Sequence, residues 1–336
     1  MRAIQFKSSN LAQTVDLAVP SVGEGQVLIR VKSSGLCHTD IEILRGNYGN
    51  DAFPLVPGHE FSGVVEAVAA DVKSVTTGQR VVIDPNISCG TCRSCKQGLY
   101  NLCEDLKAYG VTQDGGFAEY CVVAADHVHD IGNMDFELAA LAEPLGCVLN
   151  GLAVAGVTGS KILPLNSLVF GAGPIGLLLG LALKSAGVHD VAVADLNEHR
   201  LAFAQSLGFT AVMSGTPEVT KMMRSIDFVA DATGIASVVE SMIGLTADGG
   251  TAMVFGVCPP DARIAIGPFE FFRRQIKLVG SHSLNHNIPA ALTMLARDNG
   301  TMARLVSDKL ELKEILPFLS KGGGNSRTMK VQYSGN

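Results

Sequence analysis

The segment Gly171-Ala172-Gly173-Pro174-Ile175-Gly176 constrains the fold more than any other part of the chain. A strand-like run, Ser167-Leu168-Val169-Phe170, leads straight into it, and the run 174–186 leaves it with a helical pattern. In that setting the first glycine allows a tight turn and the second lets backbone approach a pyrophosphate. The third permits close packing of helix on strand. Free N–H groups and the positive dipole end at the helix start then face the phosphates, with Pro174 and Ile175 opening the helix. A glycine turn with no ligand is the bland alternative.

The same rhythm continues downstream. Asp190-Val191-Ala192-Val193-Ala194-Asp195 reads as a second strand, 198–207 as a helix, and 227–231 and 251–255 as further strands. Such βαβ patterning predicts an α/β domain with a doubly wound parallel sheet. Asp195 ends its strand 19 residues after Gly176. A carboxylate there accepts hydrogen bonds from ribose hydroxyls and repels a 2′-phosphate, so NAD is expected over NADP. Arg200 is a candidate phosphate contact subordinate to Asp195, and Thr233, just past the strand at 227–231, is a further candidate cofactor contact.

The flanking regions differ in character. Residues 1–150 consist of short β-rich runs divided by Gly, Pro and Asp, such as Gln26-Val27-Leu28-Ile29-Arg30-Val31 and Gly63-Val64-Val65-Glu66-Ala67-Val68. They predict a mostly antiparallel sheet domain. After the dinucleotide-binding region, 151–285, the tail 286–336 returns to mixed structure, with a helix over 289–297 and a closing strand Met329-Lys330-Val331-Gln332-Tyr333. The tail is expected to rejoin the first domain, with Gly322-Gly323-Gly324 as a local turn.

With 47% apolar and 17% charged residues, the 336-residue chain has ample material for two packed cores. A net charge of −6 gives no electrostatic reason to expect nucleic acid or an anionic membrane as partner. The N-terminus shows no export signal. The most apolar stretch, 168–183, is broken by glycines and short of the about 20 residues a membrane span wants. A cytoplasmic protein is expected.

Four of the eight cysteines are clustered as Cys89-x2-Cys92-x2-Cys95-x7-Cys103. Four thiolates in one short loop close a tetrahedron around zinc and leave no open position, which makes the site structural. An iron–sulfur reading would place the fourth cysteine three residues after the third, followed by Pro; here the gap is seven and Glu104 follows.

Other metal-binding residue types stand apart from that loop: Cys37 in Cys37-His38-Thr39-Asp40, the pair His59-Glu60, and Glu143 before Pro144. One thiolate, one imidazole and one or two carboxylates suit a zinc ion with an open position. Taken singly, each has a structural reading as a small buried thiol, a core histidine or a helix-start charge.

Several motifs, in this order, resemble those of the zinc-containing medium-chain dehydrogenases, the family of alcohol, sorbitol, threonine and other polyol dehydrogenases. They are Gly58-His59-Glu60-x2-Gly63, the four-cysteine loop, Gly115-Gly116-Phe117-Ala118-Glu119-Tyr120, Glu143-Pro144, and the glycine turn with its aspartate. The resemblance implies a mostly β, GroES-like catalytic domain over 1–150, with a structural zinc lobe at 86–105, and a Rossmann domain over 151–285. It implies two zinc ions per chain, one catalytic and one structural. Cys37 and His59 become ligands of the catalytic zinc, and Glu60 a nearby carboxylate able to bind it in some states. Glu143 stands where polyol dehydrogenases carry a glutamate on the zinc or its water; which of Glu60 and Glu143 completes the shell stays open. Cys147 is a rival ligand, displaced by one residue from the second cysteine of simple alcohol dehydrogenases.

By the same resemblance Thr39 matches the hydroxyl that hydrogen-bonds the substrate and passes its proton outward. Asp40 matches the carboxylate that orients the ligand histidine. Glu42 occupies the position of a relay histidine. The implied activity is hydride transfer from a secondary alcohol of a polyol to NAD, giving a ketose. The polar run Ser281-His282-Ser283-Leu284-Asn285-His286-Asn287 reads either as part of a pocket for several hydroxyls or as a polar loop. Alternatives are a dehydrogenase of a simple alcohol or threonine and, in a different class, a non-catalytic NAD- and zinc-binding protein. A homodimer or homotetramer is implied, with 267–272 apolar enough to lie at such a contact or in a core.

Overall fold

The computed structural model describes residues 1–49, 52–158, 164–322 and 324–335; Gly323 of the expected glycine turn lies outside them. The chain divides into two units, one formed by Met1–Gly146 with Leu284–Asn336 and the other by Cys147–Ser283.

The second unit is a six-stranded parallel sheet in the order Thr210–Met213, Asp190–Asp195, Asn166–Phe170, Ile226–Asp231, Thr246–Val254, Lys277–Gly280. Its central strands are apolar on both faces, as a sheet covered by helices on both sides requires. Leu168, Val169, Phe228, Val229, Ala230, Ala252 and Met253 are all fully buried. The chain order reverses between Asn166–Phe170 and Ile226–Asp231, the switch point at which such sheets bind dinucleotides outside their carboxyl ends. Two departures from the sequence reading have physical causes. The edge strands Thr210–Met213 and Lys277–Gly280 are four residues each, too short for a period to show. The strand expected at 251–255 begins at Thr246, because its pairing with Ile226–Asp231 tolerates an irregularity between Ile226 and Phe228.

In the first unit a sheet runs in the order Val306–Leu310, Lys330–Ser334, Gln26–Gly35, Glu60–Val68, Arg80–Ile83, Val128–Asp130, with Tyr120–Ala124 also pairing to Gln26–Gly35. Its core gathers Ile4, Phe6, Val27, Ile29, Phe61, Val81, Ile83 and Phe117 with Ile315, Val331 and Tyr333 from the tail. The tail therefore belongs to this unit both by packing and by strand pairing, with Gln332 opposite Gly35. A two-stranded ribbon, Asn86–Ile87 with Lys107–Ala108, closes the base of the cysteine loop.

Gly63 shows why glycine is needed inside the sheet. It lies opposite Val31 where the register shifts, and a Cβ there would fall 2.2 Å from the Arg30 carbonyl oxygen. Gly63→Ala is expected to destabilise the protein by about 1–3 kcal/mol through overpacking. The check is the urea midpoint; an unchanged midpoint would mean that the backbone of Arg30 yields freely.

Candidate active site and metal centres

Cys37, His59 and Glu60 converge although they come from different parts of the chain. Their donor atoms all lie within 4.8 Å of one another. The strand Gln26–Gly35 ends just before Cys37, which stands at the N-terminus of the helix His38–Arg45. The next strand begins at Glu60, opposite Gly35. Backbone close to the site is closely packed. A Cβ on Gly58 would sit 2.8 Å from Ser34 Oγ, and one on Gly115 would sit 2.3 Å from the Gly58 carbonyl oxygen. These contacts seat the residue before His59 in a left-handed conformation (φ +94°) that favours glycine.

Asp40 organises the cluster. It is fully buried, accepts the Cys37 backbone N–H at 2.9 Å and the Gly58 backbone N–H at 3.2 Å, and lies 3.4 Å from His59 Nδ1. No hydrogen bond forms at Nδ1, so the carboxylate acts on the imidazole ring through its charge at this distance. Burial alone would lower the pKa of His59. The carboxylate of Asp40 and the thiol group of Cys37 outweigh it and hold His59 well above its usual value.

Lys330 is the residue that sequence reasoning missed. Its ammonium group, buried at the start of the tail strand, lies 2.6 Å from Glu60 Oε1 and 2.5 Å from Oε2. It also donates to the Leu36 carbonyl oxygen at 3.0 Å. Burial pulls Lys330 down, yet Glu60 and then Cys37 outweigh this and hold it above its usual value, with Glu143 adding to the effect. The side chains that raise His59 and Lys330, namely Asp40, Cys37 and Glu60, make the surroundings of the donor group negative. A divalent cation would be held by the same field, so the donor set and its charge fit a zinc ion. The available signal was a lysine opening a closing strand, since an ammonium that such a strand buries demands a carboxylate.

The other expected residues fall as follows. Glu143 is buried in the first turn of the helix Ala142–Val154, and its carboxylate stands outside the 4.8 Å group; Cys147 joins no such group among the described residues. Thr39 is half-buried in the first turn of the helix that Cys37 opens. Glu42 is held by Arg45 at 2.7 Å and Asn47 at 2.8 Å, with His38 Nε2 at 3.5 Å.

The second metal group is Cys89, Cys92, Cys95 and Cys103, whose sulfur atoms also lie within 4.8 Å of one another. The Cys92 and Cys103 sulfurs are 4.0 Å apart. Zinc–sulfur bonds of about 2.3 Å give a tetrahedral edge of about 3.8 Å, so this set fits zinc. The Cys89 N–H donates to Cys103 Sγ at 3.2 Å, and the Cys92 N–H to Cys89 Sγ at 3.4 Å, which favours thiolates.

Two side chains of the polar run at 281–287 make contacts within the first unit. Asn285 accepts the Tyr100 N–H at 3.0 Å and donates to the Gly98 carbonyl oxygen at 2.9 Å, so it clamps the cysteine loop. His286 packs edge-on to Tyr100, with ring centroids 4.5 Å apart, and lies 3.8 Å from Asp84. Both side chains are engaged within the first unit, as a structural loop would have them.

In the second unit the glycine turn has the geometry that a dinucleotide needs. Gly171 has φ +102°, and a Cβ on Gly176 would lie 1.8 Å from the Gly171 carbonyl oxygen. Gly173 caps the helix Pro174–Ser185, and a Cβ on it would meet only Arg200 Nη1, at 3.8 Å. Asp195 accepts the Ala172 N–H at 2.7 Å and the Asn197 N–H at 2.8 Å, one on each oxygen. Each oxygen retains a lone pair for a ribose hydroxyl. Arg200 Nε is buried without a hydrogen-bond partner. Thr233 donates its hydroxyl to the fully buried Asp231 at 2.5 Å, which shapes the loop after Ile226–Asp231.

Comparison with known proteins agrees with this geometry. Residues 23–133 match the alcohol dehydrogenase GroES-like domain, and residues 174–297 match the zinc-binding dehydrogenase domain. The chain is 58% identical to D-altritol 5-dehydrogenase of Agrobacterium fabrum, over 99% of both proteins. It is 31% identical to D-arabinitol dehydrogenase 1 of Uromyces fabae, over 96% of this chain and 93% of that protein. A Sinorhizobium meliloti 1021 structure, assigned as a zinc-binding dehydrogenase and bound to NADP, superposes with a TM-score of 0.93 at 29% identity. The match covers 99% of this chain and 98% of that one.

The cysteine loop generates a chemical test. Hydrogen bonds from the Thr91 and Cys92 backbone lower the Cys89 thiol to about 6, whereas burial raises Cys95 to about 12. In metal-free protein at neutral pH, Cys89 is therefore mostly thiolate and Cys95 is not. Iodoacetamide should label Cys89 well before Cys95, as followed by peptide mass spectrometry. Equal rates would contradict the assigned environments.

Proposed function

The chain belongs to the zinc-binding, medium-chain alcohol dehydrogenase family, and from that premise we propose that it oxidises a secondary alcohol of a sugar alcohol to a ketose, with NAD as hydride acceptor. The observation that carries the reading is the joining of Cys37, His59 and Glu60 into one donor group. It is supported by the sugar-alcohol relatives, D-altritol 5-dehydrogenase above all.

In this reading Cys37, His59 and a carboxylate, Glu60 or Glu143, would hold a catalytic zinc ion, and Cys89, Cys92, Cys95 and Cys103 a structural one. Zinc at the first site would supply a Lewis acid that lowers the pKa of a hydroxyl group, from whose deprotonated form hydride departs readily. Thr39 binds the reacting oxygen through its hydroxyl and passes the proton outward. Asp40 acts on His59 through its charge, and so keeps the ligand basic. Glu42, tied to Arg45 and Asn47, stands where the outward path would need an acceptor.

The nicotinamide cofactor would bind over Gly171, Gly173, Pro174, Ile175 and Gly176, with its pyrophosphate at the start of the helix Pro174–Ser185. Asp195 supports NAD rather than NADP, because its carboxylate would repel a 2′-phosphate. Arg200 offers an unpartnered donor toward the same turn, and Thr233 lies in the loop after the next strand. Phe269 and Phe272, 68% and 79% exposed, support a self-association surface that would make the protein a dimer or tetramer. Light scattering checks this, and a monomeric mass would remove it.

The main test is absorbance of reduced cofactor after mixing zinc-loaded protein with NAD or NADP and a panel of D-altritol, D-arabinitol, simple alcohols and threonine. A polyol with NAD is expected to give the highest kcat/KM, and Cys37→Ser to lower it at least about a hundredfold. Activity on threonine alone would replace the substrate assignment, and preference for NADP would overturn the role given to Asp195.

A further inference from the structure

The tail strand Lys330–Ser334 has a second face. Side chains alternate along a strand, so Tyr333 projects away from the side on which Lys330 meets Glu60. There Tyr333, Val31 and Leu312 line a cavity of about 230 Å³ together with Arg2, Arg30, Glu119, Glu311 and Lys313. The first three are buried and form its floor, with Tyr333 5% exposed. The side chains of Arg2 and Lys313, 59% and 71% exposed, form its rim. The Tyr333 hydroxyl makes no hydrogen bond to any of the described residues. Burial, and then Glu119, push its pKa up to about 12, so at neutral pH it is a protonated donor.

The cations of this cavity are held in place without being used up. Arg2 gives its backbone N–H and its Nε–H to the two oxygens of Glu119, at 2.8 and 3.1 Å, and Arg30 gives its Nε–H to Glu66 at 3.1 Å. Each guanidinium keeps its Nη1 and Nη2 donors, a pair that can take a carboxylate in two parallel hydrogen bonds. Lys313 is held by Glu311 at 3.0 Å. The start of the helix Leu312–Lys321 is already closed by the reciprocal pair Glu311 and Glu314, which leaves recognition to the side chains.

These groups select among ligands. Three cationic side chains and two carboxylates line the cavity, so a dianion would meet Glu119 and Glu311. A neutral polyol would leave the guanidinium forks empty. One carboxylate on the forks, with hydroxyl groups bonded to Tyr333 and donated to Glu119 or Glu311, engages all of them. The volume lies below the roughly 300–1,000 Å³ of drug-sized sites, which calls for a compact molecule. We propose that this cavity is a binding site for a small hydroxylated monocarboxylate, separate from the Cys37 donor group, with the carboxylate on Arg2 and Arg30 and a hydroxyl group on Tyr333. The ligand would bridge the strands Gln26–Gly35 and Lys330–Ser334, and so raise the Tm.

Calorimetric titration of the zinc-loaded protein with D-glycerate tests this, with glycerol and inorganic phosphate as comparisons. D-Glycerate is expected to bind with a Kd of about 1 mM or below, at least about tenfold more tightly than either. Tyr333→Phe and Arg2→Gln should each weaken it at least about fivefold, while Cys37→Ser leaves it within about twofold. Arg2 is an exposed rim residue, so Arg2→Gln decides should Tyr333→Phe fail to fold. Neither heat nor a rise in Tm at about 50 mM D-glycerate would overturn the site. Loss of binding in Cys37→Ser would place the ligand at the donor group and overturn it too. So would glycerol or phosphate binding as tightly as D-glycerate, or an affinity that Arg2→Gln leaves unchanged.

Discussion

Three strands meet at Gly35, and the chemistry of the first unit depends on their register. Gly35 ends the strand Gln26–Gly35 opposite Glu60 on one side and Gln332 on the other. Cys37 follows two residues later, His59 precedes Glu60 by one, and Lys330 precedes Gln332 by two. A slip of one residue in either pairing would turn the corresponding side chains to the opposite face. The packed core supplies the specification against such a slip, since Ile29, Phe61 and Val331 share one cluster. The donor group is thus a product of strand register more than of any local turn.

Within that frame, buried charge is handled by pairing rather than by exposure to water. Asp40 sits against two backbone N–H groups and the His59 ring, and Glu60 sits against Lys330. Each of these two carboxylates has its own partner, so the region stays folded while carrying negative charge toward Cys37. The cysteine loop solves the same problem differently. Its sulfurs collect backbone N–H donors in a loop whose base is a two-stranded ribbon.

Legibility in the sequence followed distance along the chain. The glycine turn, the cysteine loop and the pair His59-Glu60 are local patterns whose physical meaning is carried by adjacent residues, and they were readable. So was the parallel sheet, because each central strand is a continuous apolar run bounded by a helix. Lys330 was read only as part of a closing strand, since its partner Glu60 lies 270 residues away and no periodicity links them. The sequence left Asn285 and His286 open between a pocket and a loop because a polar run has the same composition whether it faces a ligand or clamps a loop. Their partners, Gly98, Tyr100 and Asp84, became visible only in three dimensions. Glu143 was legible as a carboxylate near the site, but not as lying outside the tight donor group.

The placement of Lys330 in the tail strand has a consequence for how the protein is made. Synthesis runs from the N-terminus, so Cys37, His59 and Glu60 leave the ribosome long before the strand Lys330–Ser334 exists. Until then Glu60 has no counter-ion, and the sheet lacks the strand that pairs with Gly35. The whole second unit, Cys147–Ser283, emerges in the interval and has all its strands available for pairing. Maturation is therefore ordered by the topology itself: the dinucleotide fold can be finished while the reactive centre is still waiting for the strand that begins at Lys330. A ribosome that stops short of residue 330 releases a chain with a complete Rossmann sheet and an uncompensated charge where the chemistry should be.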